Sequence, residues 1–252
     1  RRQRVRSGAM TVGFVGYTNA GKSSLFQHLS GKSVLVEDQL FSTLETTVGR
    51  MEKSPRILLA DTIGFIDNIP NATLTAFKAT IAEAIDADLT LVLLDTSDSL
   101  DEIRRKLDTT RREVLERQEN EPDLLEDTNQ PHVVLTKIDK VSPDKRKAVA
   151  ALVGEEGFPA PVAVSSHTGE GVDALQLFIR EQLFGASVSV TVFPPTSTSP
   201  DASERIVSKI YDRGMVDDDH RETDGTTRLD VWMTQACQAQ LKARWADRID
   251  IK

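Results

Sequence analysis

The chain has 252 residues, a formal net charge of −8, and 39% hydrophobic and 28% charged residues. That length holds one large or two small domains with a real core, the acidic balance argues against loose, charge-driven wrapping of nucleic acid, and no apolar run approaches the ~20 residues that span a bilayer. A single cysteine, Cys237, excludes an intrachain disulfide, and together these features suit a cytoplasmic protein.

Arg1, Arg2, Arg4 and Arg6 open the chain as a basic cluster, either a solvated tail or an RNA contact. From Thr11 to about Phe184 strand and helix patterns alternate. Apolar strand candidates occupy 11–15, 57–60, 89–94, 132–136 and 161–165, with helical patterns near 23–30, 71–86, 98–117, 143–153 and 171–183. Alternating β and α units predict an α/β fold: a mainly parallel sheet with helices on both faces. Thr47–Met51 and Ile57–Ala60 flank a turn containing Ser54 and Pro55, so a hairpin should add one antiparallel edge strand. After Gly185 the texture changes. A strand pattern over 187–193 meets the Pro194–Pro200 break. A helix then spans about 201–213, strands lie near 215–220 and 227–232 around Asp224-Gly225, and a last helix covers about 234–247. This reads as a small α+β domain.

The first chemical motif is Gly16, Tyr17, Thr18, Asn19, Ala20, Gly21, Lys22, Ser23, a complete G-x-x-x-x-G-K-S between a strand and a helix. Gly16 and Gly21 let the backbone close around an anion, and successive N–H groups form a nest backed by the positive end of the helix. Lys22 can reach β- and γ-phosphates and the Ser23 hydroxyl can bind Mg²⁺, so the motif points to a nucleoside triphosphate. The second is Asp61, Thr62, Ile63, Gly64, after the strand at 57–60. It suits D-x-x-G, where Asp holds Mg²⁺ through water and the Gly N–H meets the γ-phosphate. Alone it is weak, since an Asp after an apolar strand is common.

The third is Thr136, Lys137, Ile138, Asp139, against the pattern N-K-x-D. A carboxylate at Asp139 can take two hydrogen bonds from guanine N1–H and its 2-amino group, which adenine does not offer. Lys137 would lay its stem along the base. Thr136 departs from Asn: its hydroxyl reaches less far. Read alone, Asp139 fits a turn or helix start equally well. The fourth and least specific is Ser165, Ser166, His167, which resembles the S-A-K element whose backbone N–H contacts guanine O6; His167 itself reads as a surface histidine. All four follow strands at their C-terminal ends, where open α/β sheets bind ligands.

With these motifs in place, the segments Gly16–Phe26, Asp38–Leu44 and Asp61–Ile66 resemble the HflX family of GTPases, relatives of the Obg group, over nearly the whole G domain. The stretch after 187 resembles that family's small C-terminal domain. The resemblance implies a G domain over 11–185 and a C-terminal domain over 186–252. Residues 1–10 would be the remnant of a basic linker, so the chain reads as lacking the family's N-terminal domain. It makes Thr43 the switch I threonine on Mg²⁺, Phe41, Ser42, Thr43, Leu44 and Glu45 the mobile switch I stretch, and Asp61–Pro70 switch II. Catalysis would rest on Lys22, Thr43 and Gly64. The resemblance further implies slow GTP hydrolysis and binding of the large ribosomal subunit; a monomer is expected. Phe65 stands where many GTPases place the Gln that orients water, so slow turnover until a partner orders the switches is the expectation. Asn19 matches an Asn that coordinates K⁺ in cation-dependent GTPases, or suits the turn locally. Two other readings stay open: a guanine-nucleotide-sensing ribosome- or RNA-binding module with negligible catalysis, and an ATPase of the same fold, against which Asp139 argues.

Overall fold

The computed structural model describes residues 9–31, 47–51, 54–61, 87–120, 130–194 and 201–252, with side chains left undescribed at 55, 113–120 and 201–202. The helix expected near 71–86, switch I and switch II beyond Asp61 lie outside the described residues. The described chain falls into a unit over Ala9–Gln176 and a unit over Leu177–Lys252.

In the first unit the chain runs β1 (Met10–Gly16), α1 (Lys22–Ser30), β2 (Thr47–Met51), β3 (Ser54–Asp61), β4 (Leu89–Asp95), α2 (Leu100–Asn120), β5 (His132–Thr136), α3 (Pro143–Glu155), β6 (Val162–Ala163) and the start of α4 (Val172–Phe184). The sheet order is β2-β3-β1-β4-β5-β6. All neighbours are parallel except β2, which pairs antiparallel with β3 and places Thr47 opposite Asp61. The expected hairpin is therefore present, but Ser54 and Pro55 belong to β3 itself, with Ser54 paired to Met51, and not to the turn. Inner strands are continuous apolar runs because both faces are covered: β4 is buried from Leu89 to Leu94. Val92, Leu94, Val133 and Leu135 of the sheet pack with Ile103 and Leu107 of α2 and with Val149, Leu152 and Val153 of α3. Ser142 caps α3 by accepting the Lys145 N–H at 3.3 Å, and Pro143 follows at the first helical position. Strand β6 is shorter than the 161–165 expected, because Ser165 N–H turns away to the Glu170 carbonyl at 2.9 Å.

The second unit continues with β7 (Val188–Val192), α5 (Asp201–Arg213), β8 (Met215–Arg221), β9 (Thr227–Trp232), α6 (Gln235–Trp245) and β10 (Ile249–Ile251). Its sheet, β10-β7-β9-β8, is antiparallel. Val190, Val192, Leu229 and Val231 face Ile206 and Ile210 of α5 and Leu241 of α6. Strand β10 has no counterpart in the sequence reading. Its Ile249 and Ile251 alternate inward against β7 but are too few for a periodicity to register. Cys237 is half-buried on α6, and its thiol faces the Arg213 carbonyl oxygen at 3.9 Å. Among the described residues, no helix is long and apolar enough to cross a membrane.

Candidate functional site

The phosphate loop leaves β1 at Gly16. A Cβ there would stand 2.6 Å from the Leu93 carbonyl oxygen of β4, and φ is +152°, so a side chain has neither space nor a relaxed backbone. The Tyr17 carbonyl accepts the Ala20 N–H at 3.1 Å, closing the turn. Thr18 and Asn19 are exposed at its tip, and Asn19 sits at φ 64°. The Tyr17 side chain does not join them. It is buried beneath α2, with Arg105 and Lys106 each 5.2 Å from its ring centre.

Gly21, at φ 89°, precedes α1 without a side-chain cap, and no acidic residue occupies the first turn. The first N–H groups of a helix have no carbonyl partner within it and carry the positive end of its dipole, so this terminus suits an anion. Lys22 is 6% exposed, and its Nζ donates to the carbonyls of Gly16 at 3.1 Å and Tyr17 at 2.9 Å. Burial pulls its pKa down, with Asp61 opposing.

Asp61 ends β3 in register with Phe14 of β1. Burial pushes its carboxyl pKa up, against the Ser23 hydroxyl and the Lys22 charge. Its Oδ1 is buried with no hydrogen-bond partner among the described residues. A buried carboxylate oxygen left so is costly, and a hard cation or its water would satisfy it. Ser23 and Asp61 therefore fit Mg²⁺. Thr43, expected to complete that set, and Thr62, Ile63 and Gly64 lie outside the described residues.

At the other end of the site, β4, β5 and β6 deliver their last residues together. The buried Thr136 hydroxyl lies 2.7 Å from the Ala20 carbonyl oxygen and 3.0 Å from that of Leu94. Its one proton thus ties the base-side strand to the phosphate loop 116 residues earlier. Lys137 adopts φ 56°, and its Nζ reaches Asp95 Oδ2 at 2.6 Å. Burial alone would raise the Asp95 pKa. The bonds from Lys137 and from the Ser97 hydroxyl and N–H outweigh it and hold the carboxyl low. Ile138 is buried, and its N–H faces the Val164 carbonyl at 3.4 Å.

Asp139 is exposed, and its Oδ1 accepts the Ser165 hydroxyl at 2.6 Å, which holds its pKa down. Ser165 in turn accepts the N–H of His167 at 3.2 Å and of Thr168 at 3.1 Å. Ser166 is half-buried and the His167 side chain is exposed. The fourth motif is thus joined to the third through Ser165 and Asp139, and the third to the first through Thr136 and Ala20. Asp95 and Ser97 were not among the sequence candidates. The available signal was position: Asp95 closes an apolar strand just as Asp61 does.

A glycine-lined loop running into an uncapped helix, a buried Lys, an unsatisfied Asp at the next strand end and a Lys-x-Asp pair across the sheet define a nucleotide-binding domain of the P-loop GTPase fold. A family model described as 50S ribosome-binding GTPase matches residues 11–137, and one described as HflX C-terminal domain matches residues 150–249. GTPase HflX of Gluconacetobacter diazotrophicus is 36% identical over 226 residues, 88% of this chain and 46% of that protein. GTPase HflX of Escherichia coli is 32% identical over 236 residues, 92% of this chain and 51% of that protein. The chain spans about half the length of the curated relatives it matches. A solved complex of SsGBP and GDP aligns with TM-score 0.52 and 26% identity over 69% of this chain and 49% of that one. A GTP-binding protein from Sulfolobus solfataricus, in complex with GDP, aligns with TM-score 0.52 at 23% identity over 72% of this chain and 54% of that one, a likeness of fold. The chain belongs to the HflX family of GTPases.

Proposed function

We propose that the chain is a Mg²⁺-dependent, slowly GTP-hydrolysing switch that associates with the large ribosomal subunit in the cytoplasm. One observation carries the nucleotide reading: the Asp61 carboxylate oxygen is buried and unsatisfied beside Lys22 and an uncapped helix terminus. That arrangement is costly alone and is relieved by a phosphate and a cation together. Backbone N–H groups of Gly16–Ser23 and the Lys22 ammonium would hold the phosphates. Ser23 and Thr43 directly, and Asp61 through water, would hold Mg²⁺, which when bound neutralises charge on the phosphate oxygens. Lys22 now donates to two loop carbonyls, and a phosphate would draw those bonds away. Asp139, held ionised by Ser165, would accept from guanine; Lys137 would flank the base and the loop at Ser165–His167 would close over it.

With Phe65 after Gly64, no glutamine orients the attacking water, so the turnover of the chain alone would be slow. Thr43 and Gly64 would respond to the γ-phosphate and relax on its loss. Asn19 has no side-chain hydrogen bond among the described residues and stands exposed, which leaves its amide available to K⁺. The ribosomal partner is carried over from the family. GTP hydrolysis by the purified chain, with and without large subunits and in K⁺ against Na⁺, tests the reading. Fast turnover alone would sink the slow-switch proposal, equal rates in the two salts would remove K⁺, and equal competition by ATP would return the ATPase.

A further inference from the structure

The unit over Leu177–Lys252 carries a basic cleft, far in sequence from the nucleotide motifs. A cleft of about 600 Å³ opens between α5 and α6, lined by Glu204, Arg205, Lys209, Arg244, Trp245 and Arg248 among others. Four cations against one carboxylate is a local reversal in a chain of net charge −8. Two of the four cations are engaged and two have no carboxylate partner among the described residues. Lys209 is bound to Asp212 at 2.7 Å, but Arg205 and Arg244 have no carboxylate partner among the described residues. The one carboxylate of the lining, Glu204, is turned to Arg221 at 4.0 Å. Arg248 is held by its Nη2, which donates to the Phe193 carbonyl at 2.9 Å and to Ser203 Oγ at 3.0 Å. Its Nε is buried with no partner among the described residues. Trp245 is half-buried, with the Arg244 guanidinium 4.8 Å from its ring centre.

Planar guanidinium donors match phosphate oxygens, and an indole with a cation beside it is a stacking platform for a base. We propose that this cleft binds single-stranded RNA, with Arg205, Arg244 and Arg248 on backbone phosphates and a base stacked on Trp245. A volume of about 600 Å³ suits one or two nucleotides, not a folded partner. This refines the partner in the family reading, because a ribosomal subunit offers such strands. It does not depend on the nucleotide site.

The test is fluorescence anisotropy of a labelled ten-uridine RNA with the full chain. Three phosphate contacts predict a log–log salt slope of about −2. Arg205→Gln with Arg244→Gln, both at exposed positions, should weaken binding by about tenfold or more and flatten that slope. Trp245→Leu should weaken it by about tenfold while Trp245→Phe largely keeps it. GDP binding should be unchanged in all of them. Undetectable RNA binding at low salt overturns the proposal. So does binding that survives these substitutions, which would place it on Arg1, Arg2, Arg4 and Arg6. Equal competition by a polyglutamate peptide also overturns it, since any anion would then serve. If GTP hydrolysis is absent but RNA binding persists with this mutational pattern, the switch reading fails and the cleft stands.

Discussion

Replacing Thr136 by Val keeps the volume of a buried side chain and deletes one hydroxyl. That hydroxyl is 2.7 Å from the Ala20 carbonyl, and both residues are almost fully buried, at 2% and 3% exposure. Water cannot readily replace the lost donor, so the carbonyl bears a desolvation cost of about 1–3 kcal/mol. Ala20 stands between Asn19 and Gly21, in the turn whose shape the phosphates require. If about 1–2 kcal/mol of that cost falls on the binding-competent loop, GDP affinity drops by roughly 5–30-fold. Titration with a fluorescent GDP analogue, beside thermal unfolding of the nucleotide-free chain, reads both shares. Thr136→Ser retains the hydroxyl and should stay near wild type. Thr136→Asn should restore the tie and add a second polar group toward the base. Unchanged GDP affinity and unchanged unfolding in Thr136→Val would show that the bond ties nothing together.

Gly16→Ala should lower stability by about 1–3 kcal/mol, since its Cβ would meet the Leu93 carbonyl at 2.6 Å; thermal unfolding checks it, and a wild-type midpoint contradicts the close approach. Ser165→Ala removes the donor to Asp139 Oδ1 and the acceptor for two loop N–H groups. The Asp139 carboxyl should titrate closer to its ordinary value by carbon NMR, with the preference for GTP over ATP reduced. Burial raises the Asp61 pKa above its ordinary 3.8, so the stability this group contributes is complete below about pH 3.8 and lost as pH rises through the raised value. Asp61→Asn should therefore raise the unfolding temperature of the nucleotide-free chain at pH 7, lose that gain toward pH 4, and forfeit stabilisation by Mg²⁺ with GDP; a lower midpoint at every pH refutes it.

Much of this fold was readable because each inner strand is an apolar run that ends in a polar residue with a task. The runs at 11–15, 57–60, 89–94 and 132–136 became β1, β3, β4 and β5, and the antiparallel edge was anticipated although Ser54 and Pro55 fall in β3 rather than in its turn. What periodicity does not carry is which loops meet. The bond from Thr136 to Ala20 spans 116 residues and that from Ser165 to Asp139 spans 26. Neither leaves a local signature, so Thr136 read only as a weakened Asn. Asp95 escaped for a related reason: it belongs to no short motif, and its role emerges only when Lys137, held at φ 56°, extends to it. Tyr17 is the opposite case. Within the loop motif its side chain serves the fold, the ring buried beneath α2 with two cations on it, which leaves only its backbone to face a phosphate.

The two carboxylates of the site show how its ends differ. Asp139 already has the Ser165 hydroxyl and a lowered pKa, so the base end is built before any ligand arrives. Asp61 has a raised pKa and an orphaned oxygen, and Lys22 is drawn down beside it. Strain is therefore concentrated at the phosphate end, where the charge of a bound nucleotide changes on hydrolysis. A preformed base pocket keeps the same nucleotide in place through GTP and GDP. A phosphate end that is unsatisfied when empty lets the energy difference between those two ligands be felt at Asp61, whose chain continues directly into the stretch named switch II. Guanine selectivity should accordingly be nearly equal for GDP and GTP, while the dependence on Mg²⁺ should be stronger for GTP. Competition titrations with both nucleotides, with and without Mg²⁺, would reverse this assignment of roles if the selectivity, rather than the metal dependence, changed with the γ-phosphate.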